Sequence, residues 1–177
     1  MSQYHILYII GFMGSGKTTA GKKLASQLGW SFIDLDNKIE EHTGMRIPEI
    51  FSKFGEEHFR ETEAEMLRSI TPDSNIVLAP GGGAPCYKDN MEYMLRTGLT
   101  IYLKMTPLQL ASRLKASNDE RPLIKNLEGK DLLLFIEKKL SEREEWYEKS
   151  HFIRNGFDID INDLHFLIKS YLGLQSI

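Results

Sequence analysis

Residues 11–18, which read GFMGSGKT, constrain the fold of this chain more than any other stretch. They follow an apolar run at residues 4–10 and precede an amphipathic pattern at residues 19–28, so a strand, a glycine-rich loop and a helix are expected in succession. In such a loop the glycines let backbone N–H groups close on phosphate oxygens, Lys17 reaches the terminal phosphates, and the Thr18 hydroxyl ligates the accompanying magnesium. A plain glycine turn followed by a chance lysine is the alternative, but the strand before it and the helix after it favour a nucleotide-binding loop.

Apolar runs and helical periodicities alternate along the rest of the chain. Strands are predicted at about residues 4–10, 30–36, 75–79, 99–104 and 152–161. Helices are predicted at about residues 19–28, 48–55, 56–70, 89–96, 107–114, 131–147 and 163–172. This alternation predicts a single α/β domain over residues 1–177, with a mostly parallel five-stranded sheet in a three-layer α/β/α arrangement. Ligands bind beyond the carboxyl ends of such strands, so residues 11–18, 34–36 and 81–83 should share one rim.

Composition argues against several classes of protein. A net charge of −3 with both signs interspersed disfavours nucleic-acid binding, and 41% hydrophobic with 27% charged residues disfavours disorder. No apolar run is long enough for a bilayer, and the few residues before the loop leave no room for a cleaved leader, so no membrane association is expected. Cys86 is the only cysteine, which suits a cytoplasmic location, and the five histidines show no metal-ligand spacing.

Two carboxylates, Asp34 and Asp36, stand at the end of the second predicted strand. Asp is common as a turn or cap residue, which is the alternative interpretation. Next to a phosphate loop, however, one carboxylate can hold magnesium directly or through water, and the other can receive a hydroxyl group.

Two arginines are candidates for binding an anionic substrate. Arg60 has Glu63 three residues on, so the pair is either a surface ion pair of little worth or a guanidinium held in place to clamp a carboxylate. Spacing alone favours the surface ion pair. Arg143 stands within the charged run EREE at residues 142–145, where by itself it is one charge on a solvated helix face.

Three successive glycines, Gly81, Gly82 and Gly83, follow the third predicted strand. Such a run is costly in chain entropy, so we expect a backbone that a ligand approaches closely rather than a plain turn. Arg121 lies in the polar stretch 115–130, where a mobile arginine can close over the phosphates and neutralise charge during transfer; otherwise it is a solvated loop arginine.

Together these motifs resemble the shikimate kinase family over nearly the whole chain. The matching segments are residues 11–21, 32–36, 50–51, 55–56, 59–60, 81–83 and 121–123, followed by Arg143 with Tyr147. The phosphate loop is generic, whereas its combination with Asp-x-Asp, Phe-Arg, a triple glycine and Arg-Pro-Leu in this order is specific.

The resemblance implies a P-loop fold of the nucleoside-monophosphate-kinase type, and transfer of the ATP γ-phosphoryl group to the 3-hydroxyl of shikimate. It implies ATP binding by Gly14, Ser15, Gly16, Lys17, Thr18, Thr19, Arg113 and Arg121, and catalytic roles for Lys17, Asp36 and Arg121. Shikimate contacts are implied for Asp36, Arg60, Gly81, Gly82, Gly83 and Arg143, and Mg²⁺ contacts for Thr18 and Asp34. A mobile lid at about residues 115–130, a shikimate-binding helical segment at about 37–70 and a monomer are also expected.

The chain departs from the family pattern at Trp146 and at residues 84–86, and nothing after Tyr147 matches the family's late adenine-contacting residue. Three other functions remain open at this point. Another small-molecule kinase of the same fold, acting on gluconate or a nucleoside monophosphate, would share the loop without needing the other motifs. A guanine-nucleotide switch would need Asn-Lys-x-Asp after a late strand, and only residues 37–40, NKIE, come near it. An inactive homologue used as a binding module is disfavoured because every matched catalytic position is filled.

Overall fold

The computed structural model describes residues 5–71, 74–116, 124 and 127–173. Five strands form one sheet: β1 (Ile6–Ile10), β2 (Ser31–Asp34), β3 (Ile76–Ala79), β4 (Leu99–Lys104) and β5 (Phe152–Asn155). The strand order is β2-β3-β1-β4-β5, and each of these pairings is parallel. The predicted three-layer α/β/α arrangement with a mostly parallel five-stranded sheet is therefore confirmed.

Seven helices accompany these strands in the described residues. They are α1 (Lys17–Leu28), α2 (Leu35–Thr43), α3 (Ile47–Ser69), α4 (Asn90–Thr97), α5 (Pro107–Ala116), α6 (Gly129–Tyr147) and α7 (Ile161–Leu172). A short 3₁₀ helix covers Ala84–Cys86. Long helical connections between sequential strands are what parallel pairing requires, because a hairpin turn cannot join parallel strands.

The central strand β1 is buried along its whole length, which explains its unbroken apolar sequence. Ile6, Tyr8 and Ile10 belong to a core shared with α2 to α6, whereas Leu7 and Ile9 pack on the opposite face with α1 and α7. Successive side chains of a strand point to opposite faces, so covering both faces removes the polar positions that a half-exposed strand would show. The phosphate loop therefore starts from a strand that is packed on both faces.

Two predicted strand ends are wrong in informative ways. The second strand ends at Asp34 instead of continuing to residue 36, because the Asp34 side chain accepts a hydrogen bond from the Asp36 N–H and so caps α2. The two helices predicted at 48–55 and 56–70 are confirmed in α3, where they meet at a kink at Gly55, whose φ of 84° and ψ of 173° are not helical. The last strand stops at Asn155, well before residue 161.

The segment NKIE, residues 37–40, lies inside α2. A guanine-specifying motif belongs in a loop after a late strand, so its placement removes the one sequence feature that favoured a nucleotide switch. Among the described residues, no helix combines the length and apolar character needed to span a bilayer.

Gly21 is required by the packing of α1 against β2. A Cβ at this position would lie 2.5 Å from Cε2 of Phe32. Alanine in an open helical site would stabilise by up to about 1 kcal/mol relative to glycine. Here the clash dominates, so we expect Gly21→Ala to lower the free energy of unfolding by about 1 kcal/mol or more in urea titrations.

The matched background is Phe32→Leu, which removes the ring that the new methyl group would meet. In that background Gly21→Ala should be neutral or stabilising. Equal losses in both backgrounds would contradict the packing explanation.

Candidate active site

A cavity of about 540 Å³ opens at the carboxyl ends of β1, β2 and β3. Parallel strands with helical connections place their following loops at this edge, which is where ligands bind in such sheets. Its wall is formed by the phosphate loop, the start of α2, helix α3, the loop 80–83, two residues from α5 and one from α6. The lining residues are Met13, Gly14, Gly16, Lys17, Thr18, Thr19, Asp34, Asp36, Ile47, Phe51, Phe59, Arg60, Glu63, Ala79, Pro80, Gly81, Gly82, Gly83, Arg113, Ala116 and Arg143.

The phosphate loop carries its lysine close to its own backbone. Gly16 is the N-cap of α1 with φ of 89°, a left-handed conformation that favours glycine. The Lys17 ammonium donates hydrogen bonds to the carbonyl oxygens of Gly11 and Phe12, both at 3.0 Å. The loop thus holds the Lys17 ammonium beside the N-terminus of α1. The positive charge of the lysine and the dipole of the helix both favour an anion there.

Ser15 is placed differently from its neighbours in the loop. Its N–H donates to the Phe12 carbonyl at 3.1 Å, and its side chain is buried and does not line the cavity. A Cβ on Gly11 would lie 2.8 Å from the Ser15 hydroxyl oxygen, so this hydroxyl packs inside the loop. Among the six residues of the loop predicted to bind ATP, Ser15 is the one that the structure does not bring to the cavity surface.

Thr18 and Asp34 place two oxygen atoms that could bind a metal ion close together. The Thr18 hydroxyl donates to Asp34 Oδ2 at 2.8 Å, and the other oxygen of Asp34 caps α2. Asp36 lies in the first turn of α2 and also lines the cavity. Within the described residues no group of three or more His, Cys, Asp or Glu side chains is arranged to hold a metal. A hydroxyl and a carboxylate, completed by water and phosphate oxygens, match the way proteins usually bind magnesium.

Arg60 and Glu63 form a buried ion pair, so the expectation of a surface pair is wrong. Arg60 Nη1 lies 2.6 Å from Glu63 Oε2, with the Arg60 side chain 12% exposed and that of Glu63 0% exposed. Kinking at Gly55 and packing of α3 on the core bury this face of the helix, which residue spacing cannot reveal. Burial acts to lower the pKa of Arg60, but Glu63, Glu56 and Asp36 together raise it, so the guanidinium stays charged.

The triple glycine is explained by close approach of protein groups rather than by turn conformation. None of the three has a positive φ. A Cβ on Gly81 would lie 2.4 Å from Glu63 Oε1, and a Cβ on Gly83 would lie 2.5 Å from the guanidinium carbon of Arg60. At Gly82 it would meet the backbone of the phosphate loop, 3.2 Å from the Met13 nitrogen. The absence of side chains at these glycines makes room for Arg60, Glu63 and the neighbouring loop, and the expected approach of a ligand to their backbone stays a prediction.

Arg143 reaches the same cavity from helix α6. Its guanidinium carbon lies 5.5 Å from the ring centroid of Phe12 in the phosphate loop. Tyr147, one turn further along α6, is buried and donates a hydrogen bond from its hydroxyl to the Gly82 carbonyl at 2.5 Å. The solvated face that the charged run suggested is therefore interrupted by an arginine that points inward.

Arg113 lies beside the phosphate loop at the end of α5. It donates to the carbonyl oxygens of Ser15 at 3.2 Å and Phe157 at 2.8 Å, and its guanidinium carbon lies 5.5 Å from the Phe157 ring centroid. Sequence reasoning missed Phe157, which is 42% exposed. The turn-forming Asn155-Gly156 before Phe157 indicated that the chain leaves the sheet there. Nothing in the neighbouring sequence indicated that Phe157 would contact Arg113.

The structure brings together most of the residues predicted for the site. Every predicted residue except Ser15 and Arg121 lines the cavity. Arg121, and most of the predicted lid at 115–130, lie outside the described residues. The apolar wall formed by Ile47, Phe51 and Phe59 lies in the predicted segment 37–70, but none of the three was named as a site residue.

Comparison with known proteins agrees on one family. The family model for shikimate kinase matches residues 13–162 of the chain. A shikimate kinase of Parabacteroides distasonis is 43% identical over 144 residues, which is 81% of this chain and 83% of the relative.

Solved structures show the same similarity. The shikimate kinase of Bacteroides thetaiotaomicron superposes with a TM-score of 0.88 at 38% identity, covering 96% of this chain and 98% of that one. The shikimate kinase of Acinetobacter baumannii in complex with shikimate superposes with a TM-score of 0.84 at 32% identity, covering 98% of this chain and 97% of that one.

The buried Glu63 makes stability depend on pH in a defined direction. Burial raises its pKa from 4.5 to about 7, while the Arg60 guanidinium opposes the rise. The folded protein thus holds this proton more tightly than the unfolded chain, and the resulting stability is lost as the pH rises through about 7. Between about pH 5 and pH 8, the free energy of unfolding of the wild type should therefore fall by about 2 kcal/mol relative to Glu63→Gln.

Glu65→Gln is the control, because Glu65 is exposed on the same helix. Its difference from the wild type should stay constant over this pH range. If the wild type instead gained stability relative to Glu63→Gln as the pH rose, attraction to Arg60 would outweigh burial and the predicted direction would be wrong.

Proposed function

The chain belongs to the shikimate kinase family, and we propose that its cavity is where the γ-phosphoryl group of ATP passes to the 3-hydroxyl of shikimate. Family membership makes the chain an ATP-dependent kinase acting on shikimate. One observation carries the assignment of the site: Arg60 and Arg143 line the same cavity as the phosphate loop. A kinase for an anionic small molecule needs positive groups for both of its substrates in one cleft.

Shikimate is a cyclohexene carboxylate with three hydroxyl groups, and the acceptor half of the cavity offers a partner for each part. Arg60 and Arg143 are assigned to the carboxylate, which a guanidinium binds with two parallel hydrogen bonds. Gly81, Gly82 and Gly83 supply backbone donors, and Ile47, Phe51 and Phe59 supply apolar surface for the ring. Because Glu63 holds Arg60 in a buried position, this guanidinium loses little conformational entropy when the acceptor binds.

The donor half is the phosphate loop and its neighbours. Gly14, Gly16, Thr18 and Thr19 surround the phosphates, with Ser15 supporting the loop from inside, and Lys17 turns from the loop carbonyls to the terminal phosphates. Mg²⁺ is assigned to Thr18 and Asp34, and when bound it neutralises charge on the phosphates. Their hydroxyl and carboxylate oxygens already lie 2.8 Å apart.

Asp36 is assigned to the acceptor hydroxyl. Phosphoryl transfer passes through a loose transition state, so positioning and charge neutralisation matter more than early removal of a proton. The backbone of Asp36 is fixed by the Asp34 cap, and its carboxylate acts electrostatically on Arg60 and Glu63. We assign Asp36 mainly to orienting the hydroxyl toward the γ-phosphorus.

Several expectations extend the proposal beyond the described cavity. Arg121, carried by a lid at about residues 115–130, is assigned to the phosphates during transfer. Arg113 with Phe157 forms a flat surface beside the loop that suits adenine stacking. A single domain over residues 1–177, with a shikimate-binding segment at about 37–70, a monomeric state, a cytoplasmic location and no nucleic-acid partner also stay predictions.

An acceptor panel tests the proposed function directly. The protein is incubated with ATP, Mg²⁺ and one of shikimate, gluconate or AMP, and ADP release is followed. We expect turnover with shikimate alone, because of the three acceptors only shikimate carries a carboxylate and hydroxyl groups on one carbon ring, to which Arg60, Arg143 and Asp36 are assigned. Release of ADP with gluconate or AMP in preference to shikimate would refute the proposal.

Arg60→Lys tests the acceptor clamp. Lysine keeps the charge but loses the planar fork, so the KM for shikimate should rise about tenfold or more while the KM for ATP changes less than about twofold. Arg68→Lys is the control on the same helix, since Arg68 is bonded to Asp89 and Asn90 outside the cavity. An unchanged KM for shikimate in Arg60→Lys would remove Arg60 from the acceptor site.

A further inference from the structure

Tyr147 is a buried residue at the end of α6 that does not line the cavity but is bonded to its wall. Its side chain is fully buried, and its ring packs on Tyr102 with centroids 5.0 Å apart. The hydroxyl donates to the Gly82 carbonyl at 2.5 Å. Because the core fixes the Tyr147 ring, the hydrogen bond from its hydroxyl can hold the glycine loop in one position.

The bond to Gly82 orients more than one atom. A peptide unit is planar and trans, so the Gly83 N–H points opposite to the Gly82 carbonyl and away from Tyr147. In the part of the chain that the structure describes, the N–H groups of Gly82 and Gly83 donate to no protein acceptor. Both residues line the cavity. Fixing the carbonyl therefore fixes a backbone donor that remains available to a ligand.

Tyr147 also faces the second arginine of the acceptor half. Arg143 precedes it by four residues on α6, a spacing that puts both side chains on one helix face. Burial raises the pKa of the Tyr147 hydroxyl, and the Arg143 guanidinium acts against that rise, so the two groups interact electrostatically. The hydroxyl thus donates to the carbonyl of one cavity residue, Gly82, and interacts electrostatically with a second, Arg143.

We propose that the Tyr147 hydroxyl is a positioning group for the acceptor, holding the Gly82–Gly83 peptide and Arg143 in one fixed arrangement. The proposal rests on the assignment of Gly82, Gly83 and Arg143 to shikimate in the proposed function. Tyr147 itself does not touch the substrate. Its contribution should appear in acceptor binding and not in ATP binding, because its described hydrogen bond goes to the glycine loop and not to the phosphate loop.

The chain offers a closely matched control in Tyr102. Tyr102 is as deeply buried and packs against the same ring, but in the described structure its hydroxyl has no hydrogen-bond partner. Tyr102→Phe therefore removes a buried hydroxyl next to the site without breaking a bond. Tyr147→Phe removes the hydroxyl that makes one.

The test compares steady-state kinetics of the wild type, Tyr147→Phe and Tyr102→Phe, with each substrate varied in turn, together with thermal unfolding. For Tyr147→Phe we expect the KM for shikimate to rise about fivefold to tenfold, as for loss of one hydrogen bond of ordinary strength. Its KM for ATP should change less than about twofold. Tyr102→Phe should leave both constants within about twofold of the wild type.

Shikimate binding gives a second readout that does not need turnover. The rise in unfolding temperature caused by added shikimate should be smaller in Tyr147→Phe than in Tyr102→Phe at the same concentration. A KM for shikimate within twofold of the wild type in Tyr147→Phe would overturn the proposal. So would equal rises for both substrates with lowered thermal stability, or a Tyr147→Phe protein that fails to fold while Tyr102→Phe folds. Failure of the wild type to use shikimate would instead refute the proposed function.

Discussion

The site depends on the close approach of two loops that follow neighbouring strands. A methyl group on Gly82 would lie in tight contact with the backbone of Gly11 and Met13. The Gly82 carbonyl accepts a hydrogen bond from the Tyr147 hydroxyl. Parallel pairing of β1 with β3 brings these loops to one edge of the sheet, but only the absence of side chains lets them touch. The distance between the phosphate loop and the glycine loop is therefore set by backbone packing, which is less adjustable than side-chain contacts.

The buried Arg60–Glu63 pair carries a large desolvation free energy. Removing two charges from water costs more than an ordinary ion pair returns, so the pair adds little to stability. What it supplies is a guanidinium with a fixed position beside Gly83, where no side chain competes for the space. Glu63 lies at the wall of the cavity, and its second carboxylate oxygen has no hydrogen-bond partner among the described residues. Burial of this carboxylate is therefore unfavourable by itself.

Prediction from the sequence succeeded where a local pattern has a single physical solution. The run before the loop, the glycines with Lys17 and Thr18, and the alternation of strands and helices led to the observed sheet and to the edge where the cavity lies. It failed where a local pattern has two solutions. By sequence alone, residues 35 and 36 fit the end of the second strand as well as the start of a helix. The Asp34 side chain caps α2, and both residues are helical. The spacing of Arg60 and Glu63 fits a surface pair and a buried clamp alike, and only the packing of α3 distinguishes them.

The sequence by itself determined the class of fold, the phosphate loop and the family, because these follow from patterns within short stretches and from their order. Tertiary structure decided which charges are buried, why three glycines stand together, and that Tyr147 contacts Gly82 and Phe157 contacts Arg113. These features join residues far apart in the chain, such as Tyr147 with Gly82 and Arg113 with Phe157. Contacts of that kind arise only when helices pack on the sheet, since no local periodicity records which distant residue will fill a given space.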